Sequence, residues 1–92
     1  MDNTRDLHKT VFIKNDLGLH ARSAAQIAEI AKKSNACVWV MKNEQKADAS
    51  SIIDILTLEC GKGTQIRIVI EDPGDSDILN AIVDLVDNGF GE

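Results

Sequence analysis

The segment Gly18-Leu19-His20-Ala21-Arg22-Ser23 concentrates the chemistry of this chain. It stands where a turn cluster, Asn15-Asp16-Leu17-Gly18, gives way to an Ala-rich helical pattern. His20 therefore falls at or just before the first helical residue. The first N–H groups of a helix have no partner within it, and together with the helix dipole they favour an anion. Gly18 lets the backbone turn tightly ahead of the helix. Arg22 adds a planar cationic fork suited to phosphate oxygens. An imidazole is partly neutral near physiological pH and can attack phosphorus as a nucleophile. The pattern points to phosphoryl chemistry on His20, with Arg22 compensating the charge. The plainer alternative makes His20 a polar helix cap and Arg22 a solvated charge, and spacing alone admits both.

Three further groups raise the same question. Ser50-Ser51 precedes the apolar run Ile52-Ile53-Asp54-Ile55-Leu56. A serine before such a run, with an acid three positions on (Ser51 and Asp54), has the form of a helix start. Ser51 is then either a plain N-cap or a hydroxyl open to modification, where added negative charge suits the dipole. His8 lies before or within the first strand and has the context of an ordinary surface residue. Cys37 and Cys60 lack CxxC spacing, so no metal site is expected. Both are expected to be small, reduced core residues.

The elements that must hold His20 follow from periodicity. Lys9 to Lys14 is β-branched and aromatic, and predicts a first strand. From Ala21 to Lys33, residues Ala24, Ile27, Ala28 and Ala31 share one helical face, and Ser34-Asn35 ends the helix. Ala36 to Met41 is a second strand, with Val38 and Val40 on one face. Asn43-Glu44 turns into a polar third strand, Gln45 to Asp48. The short helix after Ser51 leads through Gly61-Lys62-Gly63 to a fourth strand, Gln65 to Glu71. Ile66, Ile68 and Ile70 alternate along one face of it. Asp72-Pro73-Gly74 is a turn. Asp75-Ser76-Asp77 is expected to cap a last helix, with Ile78, Ile82, Leu85 and Val86 as its buried stripe and Leu79 beside them. Asn88-Gly89 tolerates the left-handed conformation that ends helices. The order β-α-β-β-α-β-α predicts an α+β two-layer sandwich, three helices on one face of a four-stranded sheet. Residues 1–8 read as a polar lead and 9–92 as one domain.

Composition bounds the rest. A chain of 92 residues with 43% apolar and 27% charged residues is one ordinary globular domain. Aromatics are only 3%, so the core must be aliphatic. Ten Lys+Arg against fifteen Asp+Glu gives a net charge of −5, which argues against a general nucleic-acid or anionic-membrane binder. No apolar run approaches the roughly 18 residues of a membrane span. The polar start lacks the apolar core of a signal peptide, so a cytoplasmic protein is expected.

Gly18-Leu19-His20-Ala21-Arg22, preceded by Asn15 and followed by an Ala-rich helix, resembles the active-site motif of HPr. HPr is the histidine-containing phosphocarrier family of the bacterial phosphoenolpyruvate-dependent phosphotransferase system. A second block, Ala49 to Leu58 followed by Gly61-Lys62-Gly63-Thr64, and a third, Asn88 to Glu92, match in the same order. The resemblance spans residues 9–92. It implies an open-faced sandwich with an antiparallel sheet, and a carrier rather than an enzyme. His20 would accept a phosphoryl group on Nδ1 from phosphorylated Enzyme I and pass it to a histidine of an Enzyme IIA-type acceptor, in sugar transport or a regulatory branch. Arg22 would compensate charge, and the first-turn amides would hold phosphate oxygens. No metal or organic cofactor is implied. Ser51 aligns with the serine that an HPr kinase/phosphorylase modifies in many members, with Ser50 the weaker neighbour. Ile52, Ile53 and Leu56 are too apolar for a wholly exposed helix, so part of that stripe is core. The resemblance implies that the rest is a docking patch, with Ile53 and Leu56 as leading contacts. A carrier that docks with several partners in turn is most simply a monomer.

Two departures stand out. The family usually has Pro directly after the Arg, and here it is Ser23. Serine restores an N–H, able to donate to phosphate, and adds a hydroxyl, so Ser23 could give the phosphate an extra hydrogen bond or simply cap. On chain entropy alone, Ser23→Pro is expected to stabilise by about 0.4–1 kcal/mol and to keep phosphorylation. Glu29 and Asp54 are acids on the helices flanking the site, with Lys32 the clearest base, so steering to acidic partners should be weaker than usual. The second reading is an HPr-like regulatory module acting through Ser51 and the short apolar helix without transfer. The third is a generic α+β binding domain. The retained His20 favours the carrier.

Overall fold

The structure, a computed structural model, describes residues 7–92. The elements are β1 His8–Phe12, α1 Ala21–Ala31, β2 Val38–Lys42, β3 Gln45–Asp48, α2 Ile52–Leu56, β4 Gln65–Ile70 and α3 Ser76–Asp87. Single 3-10 turns occupy Pro73–Asp75 and Gly89–Gly91. The four strands form one antiparallel sheet in the order β1-β4-β2-β3.

The alternation read in the strands becomes rows across this sheet. Val11 lies opposite Ile66; Ile68 lies opposite Val40, which lies opposite Ala47. These residues are buried, and with Ile27 of α1, Ile55 of α2, and Leu79, Ile82 and Val86 of α3 they form one aliphatic core. Each buried Val, Leu or Ile side chain among them contributes about 1.5–3 kcal/mol by leaving water. Among the described residues no helix covers the other face of the sheet, and Thr10, Phe12 and Arg67 are exposed on it. The architecture is the expected open-faced α+β sandwich.

Several local expectations change. His8, placed in the polar lead, opens β1, and Leu7 already accepts a bond from the Ile70 N–H at 2.7 Å. The remainder of that lead, residues 1–6, lies outside the described residues. β2 begins at Val38 rather than Ala36, because the N–H groups of Asn35 and Ala36 donate instead to the Asp75 carboxylate, at 2.8 and 3.1 Å. Asp75 therefore does not cap α3 with its side chain as expected. It sits at the N-cap position, only 3% exposed, and ties the α1–β2 loop to the start of α3. The buried stripe of α3 is Leu79, Ile82 and Val86, with Ile78 and Leu85 only partly covered. Leu79 thus takes the central place expected of its neighbours. Cys60 is buried as expected. Cys37 is exposed, because it precedes the first ladder residue of β2 and escapes the core.

Candidate functional site

The turn before α1 is closed from both sides. Gly18 donates its N–H to Asn15 O at 3.1 Å, and the Asn15 amide donates back to Gly18 O at 2.8 Å. Leu19 then donates its N–H to Cys60 O at 2.8 Å. Gly18 has φ +68°, and a Cβ there would lie 2.4 Å from Cys60 O. Only glycine fits both the left-handed backbone and that close approach.

His20 follows as the N-cap of α1, with extended φ −128° and ψ −176°, and its carbonyl accepts the first helical bond from Ala24 N at 2.8 Å. A capping box forms around it. Ser23 Oγ accepts the His20 N–H at 2.8 Å, and His20 Nδ1 accepts the Arg22 N–H at 3.2 Å. At the other end of the ring, Nε2 meets the Glu92 carboxylate. A carboxylate can only accept, and Nδ1 is already accepting. One proton placement satisfies both contacts: Nε2 carries the hydrogen, and Nδ1 keeps its lone pair toward the helix N-terminus.

Glu92 is itself held in place. Its other oxygen accepts from the Asn15 amide at 3.0 Å. These bonds from Asn15 and His20, with the Arg22 charge nearby, hold the Glu92 carboxyl below its usual range. The tail reaches this position because Phe90 is buried in the core with φ +59°, between Gly89 and Gly91, both also at positive φ. Arg22 is exposed at the rim. Sequence reasoning found His20 and Arg22 but gave Asn15 and Glu92 no role. The only signal was that both belong to the matching blocks.

The Ser23 hydroxyl takes the capping alternative, while the Ser23 N–H, expected above as a phosphate donor, lies in the first turn of α1. The Ser23 side chain is fully buried, with Oγ also 3.1 Å from His20 O and 3.4 Å from Gly18 O. The hydroxyl is committed to the cap. That revises the expected gain from Ser23→Pro, which would remove the Oγ partner of the His20 N–H.

α2 packs beside α1. Ser51 is its N-cap and accepts the Asp54 N–H at 3.2 Å, as the helix-start pattern suggested. Ser50 Oγ is occupied by Asp48, at 2.7 Å. Ile53 is 77% and Ile52 38% exposed, whereas Leu56 is partly buried against the core beside the fully buried Ile55. Leu56 packs partly against the core and leaves only part of its side chain open to contact. Leu17, assigned only to a turn, is 74% exposed on the loop leading to His20. Asp16 on the same loop pairs with Lys62 at 2.8 Å, and that bond lowers the Asp16 pKa and raises that of Lys62. Among the described residues no group of three or more His, Cys, Asp or Glu side chains is placed to hold a metal ion. Among them, too, no helix is long and apolar enough to cross a membrane.

Residues 7–88 match the family model described as the PTS HPr component phosphorylation site. The chain belongs to the HPr family. The phosphocarrier protein HPr of Neisseria meningitidis is 33% identical over 86 residues, covering 94% of this chain and 97% of that protein. The phosphocarrier protein NPr of Escherichia coli K12 is 36% identical over 85 residues, covering 91% and 94% respectively. Among solved structures, an HPr from Thermoanaerobacter tengcongensis superposes with a TM-score of 0.83 at 37% identity, covering 92% of this chain and 96% of that one. HPr-family proteins are phosphocarriers of the phosphotransferase system, and this chain shares their fold and their sequence blocks.

Proposed function

We propose that this HPr-family protein carries its phosphoryl group on His20 Nδ1. The observation that carries this reading is the ring's orientation at the α1 N-cap. Nε2 is engaged by Glu92, and the Nδ1 lone pair faces the helix N-terminus beside Arg22. In the transfer step, the Nδ1 lone pair attacks the phosphorus presented by phosphorylated Enzyme I. The bond from phosphorus to the donor breaks as the bond to Nδ1 forms. The first-turn amides and the Arg22 guanidinium meet the added negative charge. Glu92 faces the Nε2 proton and balances the charge on the ring as it becomes a phosphoimidazolium. The reverse exchange hands the group to a histidine of an Enzyme IIA-type acceptor. Nothing is consumed in the exchange, so the protein acts as a carrier without a cofactor, docking as a cytoplasmic monomer. Ile52 and Ile53, with Leu17, supply an apolar docking surface.

The test is direct. The protein is incubated with phosphoenolpyruvate and cognate Enzyme I. The expected product bears an acid-labile, alkali-stable phosphate that His20→Ala abolishes. No label on the wild type with a competent Enzyme I sinks the reading.

A second, compatible reading concerns Ser51. Its partial exposure beside Ile52 and Ile53 favours modification there by an HPr kinase/phosphorylase, with the added charge acting on partners that dock over the patch. ATP and that kinase should then place an acid-stable phosphate that Ser51→Ala removes.

A further inference from the structure

The segment that supports the His20 loop is itself held by a side chain from the sheet. Lys42 is the last residue of β2, paired across the hairpin with Gln45. Its ammonium donates to Leu58 O at 2.8 Å and Glu59 O at 3.1 Å. These carbonyls lie just past α2, a helix with no basic residue in its last turn. A charged donor shared between two backbone carbonyls holds them more strongly than a neutral one would. The chain bends there through Glu59, a non-glycine residue at φ +54°. That conformation persists only where the surroundings over-determine it. One residue further on is Cys60, whose carbonyl accepts the Leu19 N–H at 2.8 Å and abuts Gly18. A continuous path therefore runs from the rigid sheet through Lys42 to the 58–60 turn, then through Cys60 O to Leu19 and His20.

We propose that Lys42 is a positioning residue for phosphoryl transfer: its ammonium fixes the 58–60 turn, and the Cys60 carbonyl in turn fixes the backbone that presents His20. This rests on His20 being the phosphoryl-carrying residue. Lys42 touches neither His20 nor Arg22 in the described contacts, so its effect passes through geometry.

Lys42→Met keeps the alkyl stem and removes the charge-assisted bonds, and Lys42→Arg keeps a donor there. In unphosphorylated Lys42→Met, exchange of the Leu19 amide hydrogen should speed roughly tenfold or more, while the Val40 and Ile68 amides keep wild-type rates. Phosphorylation at saturating phosphorylated Enzyme I should slow several-fold with KM unchanged, and Lys42→Arg should recover both. Wild-type exchange at Leu19 in Lys42→Met would overturn the proposal. So would equal acceleration across the sheet, which reports only global stability, or a change confined to KM, which reports a docking contact. Wild-type protein that takes no phosphate would sink the carrier reading and the transfer half of this one, whereas Leu19 exchange reads the strut without any phosphoryl group.

Discussion

Glu92 engages His20 at Nε2, and in doing so leaves the ring's lone pair on Nδ1, where it accepts the Arg22 N–H. The pair spans 72 positions of sequence and unites the tail with the first helix. A carboxylate that orients an imidazole from its far nitrogen selects the tautomer at the near one. Glu92→Ala should release that selection. Ring 15N shifts should then report a mixture of tautomers, where the wild type shows hydrogen on Nε2. Phosphorylation of His20 should slow several-fold without being abolished, because the helix N-terminus and Arg22 remain. An unchanged tautomer in Glu92→Ala would assign the selection to the capping box alone.

The same contact makes a pH prediction with a definite sign. Bonds from Asn15 and His20 depress the Glu92 carboxyl below the ordinary glutamate value of 4.5. A group with a depressed folded-state pKa adds stability that is complete above its unfolded value and lost as pH falls through the folded one. The stability gap between wild type and Glu92→Gln should be constant well above pH 4.5 and shrink below it. Denaturant titrations between about pH 6 and pH 3 measure it. A gap independent of pH would mean that the carboxylate form is not what the fold favours.

These contacts mark where sequence reading stopped. The strands and helices were legible because Ile66, Ile68 and Ile70, or Ala24, Ile27 and Ala31, repeat with the period of the element that buries them. His20 was legible because its meaning is local: a ring at a helix start beside Arg22. Glu92 was not, since no local pattern records which distant residue a tail will meet. Asp75 misled for a related reason. An acid beside Ser76 and Asp77 has the composition of a cap, and only the fold shows that the Asn35 and Ala36 amides reach it first. Cys37 and Cys60 are the same residue type, yet a position before a strand and one against the sheet differ in exposure.

Ser23 exchanges one local effect for another. Proline at this position gains about 0.4–1 kcal/mol by restricting the unfolded chain. Losing the Oγ partner of the His20 N–H costs about 0.5–1.5 kcal/mol. Ser23→Ala, which loses that bond with no compensation, should destabilise by about 1 kcal/mol. Ser23→Pro should fall between Ala and wild type. Denaturation midpoints with unchanged slopes would establish the order, and a Pro variant more stable than wild type would show that the cap is weak.

Gly18 faces two penalties at once. Its φ of +68° strains any L side chain, by about 1–3 kcal/mol. The Cβ of Gly18→Ala would also lie 2.4 Å from the Cys60 carbonyl, which is backbone and cannot swing aside. Relief requires the Leu19–Cys60 bond to lengthen. Gly18→Ala should therefore lose both stability and Leu19 amide protection. A stable variant with wild-type exchange at Leu19 would contradict the close approach.

Asp75 tests the stability side in isolation from the ring. Its buried carboxylate accepts two backbone N–H groups from the α1–β2 loop. Bonds to a charged acceptor are worth more than neutral ones, and truncation leaves their donors without a protein partner. Asp75→Ala should cost about 1.5–3 kcal/mol, moderated where water reaches the part-buried Asn35 amide. Asp75→Asn keeps one carbonyl acceptor but turns an amide NH₂ toward the second donor, so it should recover only part of the loss. The Ala36 amide should exchange faster in both variants, more so in Asp75→Ala. If Asp75→Asn is as stable as wild type, the charge contributes nothing and the carboxylate serves only by its shape.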